Sequence, residues 1–207
     1  MPHDCETARS AARHAYILGH PPRIAPLTRQ EFTAEAKALT AQIDQAVDLS
    51  PDEHVSEWIA TVLRHPALFR AHTTLAVVLM TGTLPARDRE LAVMRTGWLC
   101  QAPFEWGGHV ELGKRMAGIT AEEIEWVVTG STAAGWGEHD RAVLRAVEEL
   151  IDNAMISDET WAVLAKTYDP CQLLELPVLI GQYLGVAYLQ NSARVALPEG
   201  YAGLAAR

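Results

Sequence analysis

Helix-start signatures recur along this chain closely enough to leave little room for a sheet. Thr28-Arg-Gln-Glu31 has the form of a capping box, in which a hydroxyl bonds an orphan amide and a Glu three residues on reaches back. Ser50-Pro51-Asp52-Glu53 repeats the pattern and adds Pro at the first helical position, where its missing N–H costs nothing. Thr120-Ala-Glu-Glu123 and Asp169-Pro-Cys-Gln172 are a third and a fourth. Stop signals are equally plain at His65-Pro66, Gly82, Gly118, Gly130 and Pro198. Between them the apolar spacing is helical: Leu91, Met94 and Trp98 fall at i, i+3, i+7, and Val143, Ala146, Val147 and Leu150 repeat the stripe. No segment alternates apolar and polar as a half-buried strand would. The expectation is an all-α single domain of about nine helices, at about 29–46, 51–64, 67–80, 85–101, 104–117, 121–129, 138–153, 158–167 and 170–193.

The chain of 207 residues suffices for one well-filled core. Residues 1–26, with Pro21-Pro22 and Pro26, read as an N-terminal arm. Residues 27–197 form the helical domain and 198–207 a C-terminal tail. Arms of this kind are subunit contacts or disordered segments more often than chemistry. Gly130 to Gly137 is too short for a linker between domains and reads as a loop. The most apolar stretch, Leu173 to Leu189, is interrupted by Glu175, Pro177 and Gln182, so a buried helix is expected rather than a membrane span. A formal net charge of −9 with scattered Lys and Arg argues against a nucleic-acid partner. Cys5, Cys100 and Cys171 make neither a disulfide framework nor a zinc pattern, and the acidic N-terminus is no secretory signal. A cytoplasmic protein is the default. With no Gly-rich phosphate loop, no nucleotide cofactor is expected, and none of another kind.

The most informative segment is Cys100-Gln-Ala-Pro-Phe-Glu-Trp-Gly-Gly-His109. Pro103 ends one helix and another begins near Phe104, which places Glu105 and His109 one turn apart on the same face. A carboxylate beside an imidazole fixes its tautomer and raises its basicity, a proton-handling arrangement. Gly107 and Gly108 within a helix cost about 1 kcal/mol each against Ala and are tolerated where a backbone or ligand comes close. The preceding helix adds Glu90, at the edge of a surface that turns apolar almost all round. Burial there raises a carboxyl pKa unless a cation such as Arg87, Arg95 or His109 is adjacent. Glu–His pairs at this spacing are commonly simple hydrogen bonds. Two carboxylates and one His could also hold a divalent ion, but the paired Glu-x-x-His of bundle metal sites is absent, so no metal is expected.

The run Leu84-Pro-x-Arg-x-Arg-Glu-Leu-Ala-x-x-Arg, then Phe104-Glu-Trp-x-x-His109, then Gly-x-Thr-x-Glu-Glu-Ile, resembles the carboxymuconolactone decarboxylase family, whose superfamily includes the alkyl hydroperoxidase D (AhpD)-like proteins. The likeness spans about residues 60–130. It implies an AhpD-like helical bundle and a homo-oligomer (dimer, trimer or hexamer) with active sites near subunit contacts. Glu90 falls where the family has its relay glutamate and His109 on its active-site histidine. The Cys-x-x-Cys of the peroxidase branch is replaced by Ala102 and Glu105. Cys100 lies two residues too early to substitute, which disfavours hydroperoxidase chemistry.

The expected activity is that of a cofactor-free, decarboxylase-like lyase acting on a small organic acid or lactone. His109 would serve as general acid/base, Glu105 would orient it and Glu90 would complete the relay. Phe104 and Trp106 would wall the site, with His72 and Tyr183 at its edge. Arg95 would meet an anionic substrate, unless it pairs with Glu90. The same relay could run an isomerisation or a hydration. The alternative from another class is a non-catalytic oligomeric binding protein.

Overall fold

The computed structural model describes residues 2–47 and 56–207, with side chains over 8–40 and 56–207. The box at Ser50–Glu53 and the start expected at residue 51 lie outside the described residues. Among the described residues there is no strand. Ten α-helices follow one another: α1 (Pro2–Leu18), α2 (Ala34–Val47), α3 (Glu57–Val62), α4 (Pro66–Met80), α5 (Ala86–Leu99), α6 (Pro103–Ala117), α7 (Ala121–Thr129), α8 (Glu138–Asn153), α9 (Asp158–Leu164) and α10 (Pro170–Ala193), with single 3₁₀ turns at Arg29–Glu31 and Gly203–Ala205. The boxes at Thr120 and Asp169 close in both directions at the starts of α7 and α10. The box at Thr28 caps only the first 3₁₀ turn, because Phe32 is extended. The Thr33 hydroxyl then accepts from the Ala36 amide at 3.1 Å, so the helix expected from residue 29 starts at Ala34.

The arm expected at residues 1–26 instead contains α1. Its sequence explains this: Asp4 and Glu6 favour a helix N-terminus, Ala11, Ala12 and Ala15 favour its interior, and the helix stops at Gly19 before Pro21-Pro22. Ile17 is buried, and Ser10 donates to Gln101 Oε1 at 2.7 Å. The segment expected as a tail sends Leu204 and Ala206 into the main core.

Helix α5 is the axle of the bundle. Residues Asp88 to Trp98 are all buried, and α6, α8 and α10 pack around them. A helix buried all round is normally apolar, yet α5 carries four buried charges, each of which needs a partner. Asp88 accepts from Tyr168 Oη at 2.6 Å and is bonded to His139 Nε2 at 2.8 Å. Arg95 pairs with Glu148 and donates to the Val127 and Val128 carbonyls at 2.9 and 2.8 Å, covering the C-terminal end of α7. Glu90 turns toward α6, and Arg89 lies between Glu90 and the Met80 carbonyl at the end of α4. Gly97 lets α5 and α6 touch, since a Cβ there would lie 3.3 Å from the Trp106 amide nitrogen.

A smaller core of Phe32, Ala36, Leu39, Val62, Leu63 and Phe69 joins α2, α3 and α4. Helix α10 is long and apolar enough to cross a membrane by length and composition. It was expected to be buried but is so on one face only: Leu176, Leu179, Ile180 and Val186 enter the protein, while Leu174, Val178 and Tyr188 are exposed.

Candidate active site

Pro103 starts α6 and thereby sets its rotation. Residues 104, 105, 108, 109 and 112 face α4 and α10, whereas Trp106, Val110 and Gly113 face the core. The first set borders a cavity of about 230 Å³. Trp58, Ala76, Phe104, Leu112 and Val186 form its apolar wall. Its polar lining is Glu105, His109, His72, Gln182, Tyr183 and Gln190.

His109 holds both neighbouring carboxylates. Its Nδ1 lies 2.8 Å from Glu90 Oε2 and its Nε2 lies 3.0 Å from Glu105 Oε1. Glu90 is 1% exposed and is not a lining residue, so the line Glu90–His109–Glu105 reaches the cavity at His109 and Glu105. Burial opposes the charge on His109, but hydrogen bonds and charge from Glu105 and Glu90 overcome it and raise its pKa to about 10. Both nitrogens then carry protons at neutral pH. Burial likewise pushes Glu90 up, and the hydrogen bond and charge of His109, with Arg89, bring it below its ordinary value. Arg89 Nε lies 3.4 Å from Glu90 Oε1, and its Nη1 donates to the Met80 carbonyl at 3.3 Å. The second oxygen of Glu105 accepts from Gln190 Nε2 at 2.8 Å.

The structure brings Glu90, Glu105, His109, Phe104, His72 and Tyr183 together. Tyr183 sets its ring edge-on to His109 with centroids 5.0 Å apart. Burial and then the charges of Glu105 and Glu90 push its phenol pKa up, which keeps the hydroxyl protonated. Two expected residues lie elsewhere. Arg95 is five positions from Glu90, about 140° round the helix, and meets Glu148 instead. Trp106 is fully buried against Trp98 with centroids 4.9 Å apart, and its Nε1 donates to the Ala206 carbonyl at 3.1 Å. Arg87, weighed as a cation for Glu90, pairs with Glu123 and Asp140 at 2.6 and 2.8 Å.

Sequence reasoning missed Arg89, Trp58, Gln182 and Gln190. Arg89 is next to Glu90 in the motif and could have been weighed with Arg87. The other three come from distant helices and leave no local signal. The two glycines separate in role: Gly107 abuts the Gly203 backbone, where a Cβ would meet it at 3.2 Å, while a Cβ on Gly108 would meet nothing within 4 Å and would enter open space at the cavity. Cys100 is half-buried, and burial followed by the charge of Glu105 raises its pKa to about 11, so it is a thiol and not a thiolate at neutral pH. Among the described residues no group of three His, Cys, Asp or Glu converges on a metal position. The two carboxylates occupy opposite edges of the imidazole.

Residues 66–149 match the model of the Carboxymuconolactone decarboxylase family. No curated protein matches the chain. Among solved structures, one described as an alkylhydroperoxidase AhpD core, an uncharacterized peroxidase-related protein from Ralstonia eutropha JMP134, superposes with a TM-score of 0.73 at 14% identity, over 87% of this chain and 94% of its own. The debrominase Bmp8, in a variant bound to 2,3,4-tribromopyrrole, gives 0.67 at 15% identity over 85% and 91%. A protein of unknown function from Agrobacterium tumefaciens gives 0.61 at 19% over 66% and 94%. These likenesses establish the AhpD-like helical fold.

Proposed function

We propose, from the match of residues 66–149 to the carboxymuconolactone decarboxylase family model and from the site's geometry, that the chain is a cofactor-free, decarboxylase-like lyase that moves protons through Glu90, His109 and Glu105. One observation carries this reading: an imidazole held by carboxylates on both nitrogens, at 2.8 and 3.0 Å, at the wall of a small cavity lined by only one of them. With both nitrogens occupied, His109 acts as a proton store, and Glu105 is the group that exchanges the proton with substrate. This reverses the two roles expected from the motif alone.

In a lactone acid or keto acid the C–C bond to the carboxylate breaks, CO₂ leaves, and the electron pair moves onto the conjugated carbonyl. The proton on His109 Nε2 passes first to Glu105 and from it to the carbon that bore the carboxylate, and solvent then returns a proton to His109. Glu90 and Arg89 keep the imidazole oriented and charge-balanced. Phe104, Trp58 and Leu112 keep water from the reacting carbon.

An isomerase is a second reading, favoured by the cavity lining. Neither Lys nor Arg is among the described lining residues, so a substrate lacking a carboxylate loses nothing there, and an isomerisation takes and returns the same proton. A panel of small lactones, β-keto acids and unsaturated ketones, assayed for CO₂ release and for isomer formation, separates the two. Glu105→Gln lowers the activity found at least about 100-fold, with helical content unchanged. Full activity in Glu105→Gln overturns the relay. The resemblance also implies a homo-oligomer, and exposed Val77, Val78, Leu174 and Val178 on α4 and α10 suit a second copy of this chain. Sedimentation tests that.

A further inference from the structure

The imidazole of His72, on α4, shares the cavity with the relay. We propose that His72 is the carbonyl-polarising group of this site, donating an Nε2–H hydrogen bond to the substrate oxygen on which negative charge develops, and that Gln182 fixes the tautomer this requires. The inference rests on the proton-relay reading, because only a reaction that builds charge on a carbonyl oxygen has use for such a donor.

Three observations carry it. First, His72 Nδ1 lies 2.6 Å from Gln182 Nε2. An amide nitrogen can only donate, so Nδ1 accepts and the ring proton of neutral His72 sits on Nε2. Second, the ring is wedged edge-to-face against Trp58 with centroids 5.7 Å apart, at the border of the same cavity that Glu105 and His109 line. Third, the imidazolium of His109 has both N–H groups committed to carboxylates, so it has none left for a substrate oxygen. Burial lowers the pKa of His72 against the opposing charge of Glu105, which keeps it neutral at neutral pH. Two histidines in one cavity thus take opposite charge states: His109, with two carboxylates, stores the proton, and His72, with an amide, polarises. A neutral imidazole is suited to stabilising an enolate oxygen because it strengthens its hydrogen bond as charge builds and need not give up its proton. No bond to hydrogen breaks at His72. The electron pair released at carbon moves to the carbonyl oxygen and returns when carbon is protonated from Glu105. The substrate class is accordingly a small compound with an acceptor carbonyl conjugated to the reacting carbon.

The test uses 2-cyclopentenone as a probe on the intact protein. Its carbonyl stretch on binding should shift to lower frequency than in an apolar solvent, lose that shift in His72→Phe, and regain part of it in His72→Gln, which offers an amide N–H. Histidine nitrogen NMR of the free protein should show His72 protonated on Nε2 alone, with Gln182→Leu releasing that preference. On whichever carbonyl compound is turned over, His72→Phe should lose about 100-fold in kcat. Absence of a shift in the wild type, a shift unchanged in His72→Phe, or an Nδ1–H tautomer overturns the proposal. The carbonyl shift should survive Glu105→Gln, so failure of the relay reading shows in turnover alone and is told apart.

Discussion

The Nε2 atom of His109 lies 3.0 Å from Oε1 of Glu105, one helical turn before it on α6, and the other oxygen of that carboxylate is bound by Gln190 from α10. Helix α6 alone would bring the pair near each other, as i, i+4 residues are. The amide from α10 and Glu90 from α5 turn a surface-type pair into a buried one with defined proton positions. Each part can be removed separately, and the outcomes differ.

Replacing Glu105 by Gln keeps the size of the side chain and removes the proton carrier at the cavity. Turnover should fall by about 10²–10⁴-fold, the range for loss of a general acid/base, while binding of an unreactive ketone is little changed. A steady-state comparison on the responding lactone or keto acid, with circular dichroism as the folding control, checks this.

Removing His109 leaves Glu90 and Glu105 buried without their shared cation. His109→Ala should destabilise the fold by about 3–5 kcal/mol, the usual cost of breaking a buried pair from one side. Chemical denaturation measures it. A neutral or stabilised variant would point to the non-catalytic binding protein.

The pH dependence of stability has a definite sign. The folded-state pKa of His109 is about 10, above its unfolded value, so its contribution is complete below the unfolded pKa of about 6.5 and fades as pH rises through about 10. Glu90 has its pKa lowered, so its contribution is present above its unfolded value of about 4.3 and is lost in acid. Denaturation midpoints should therefore drop on the alkaline side in the wild type and be flatter there in His109→Gln.

Gly108 offers a gentle way to reshape the cavity. A Cβ at this position meets nothing within 4 Å, and Ala is the better helix former by about 1 kcal/mol. Gly108→Ala should fold with equal or greater stability and raise KM for the bulkier members of the substrate panel. Gly107→Ala, which presses on Gly203, should lower the melting temperature and leave substrate preference as it was.

Arg95 separates scaffold from site. It pairs with Glu148 and covers the end of α7 from a buried position, so Arg95→Met should lower stability by about 3 kcal/mol or more. The KM of a carboxylate-bearing substrate should stay within twofold. A selective rise in KM would show that Arg95 reaches the ligand.

The helix pattern, the capping at Thr120 and Asp169, and the Glu90–Glu105–His109 group were legible because each is set by spacing along one helix or by a motif. Rotation about a helix was harder to read. Trp106 follows Glu105 by one residue and so turns about 100° away from it, into the core with Trp98. Arg95 fails as a site residue for the same reason. The first helix was obscured by the prolines that follow it, although its alanines and early acids favour a helix. Gln182 and Gln190 were beyond reach, because an amide on an apolar helix looks alike whether it faces solvent or a buried carboxylate.

The four charges buried along α5 also constrain how the sequence can drift. Asp88, Arg89, Glu90 and Arg95 are matched by partners dispersed over the chain, at Tyr168 and His139, the Met80 carbonyl, His109, and Glu148. A single change on this helix strands a partner between 9 and 80 positions away, so viable lineages should replace these residues jointly. Positions 88 with 168, 90 with 109, and 95 with 148 are where diverging homologues should show coordinated exchange, leaving the intervening apolar residues free to vary in size.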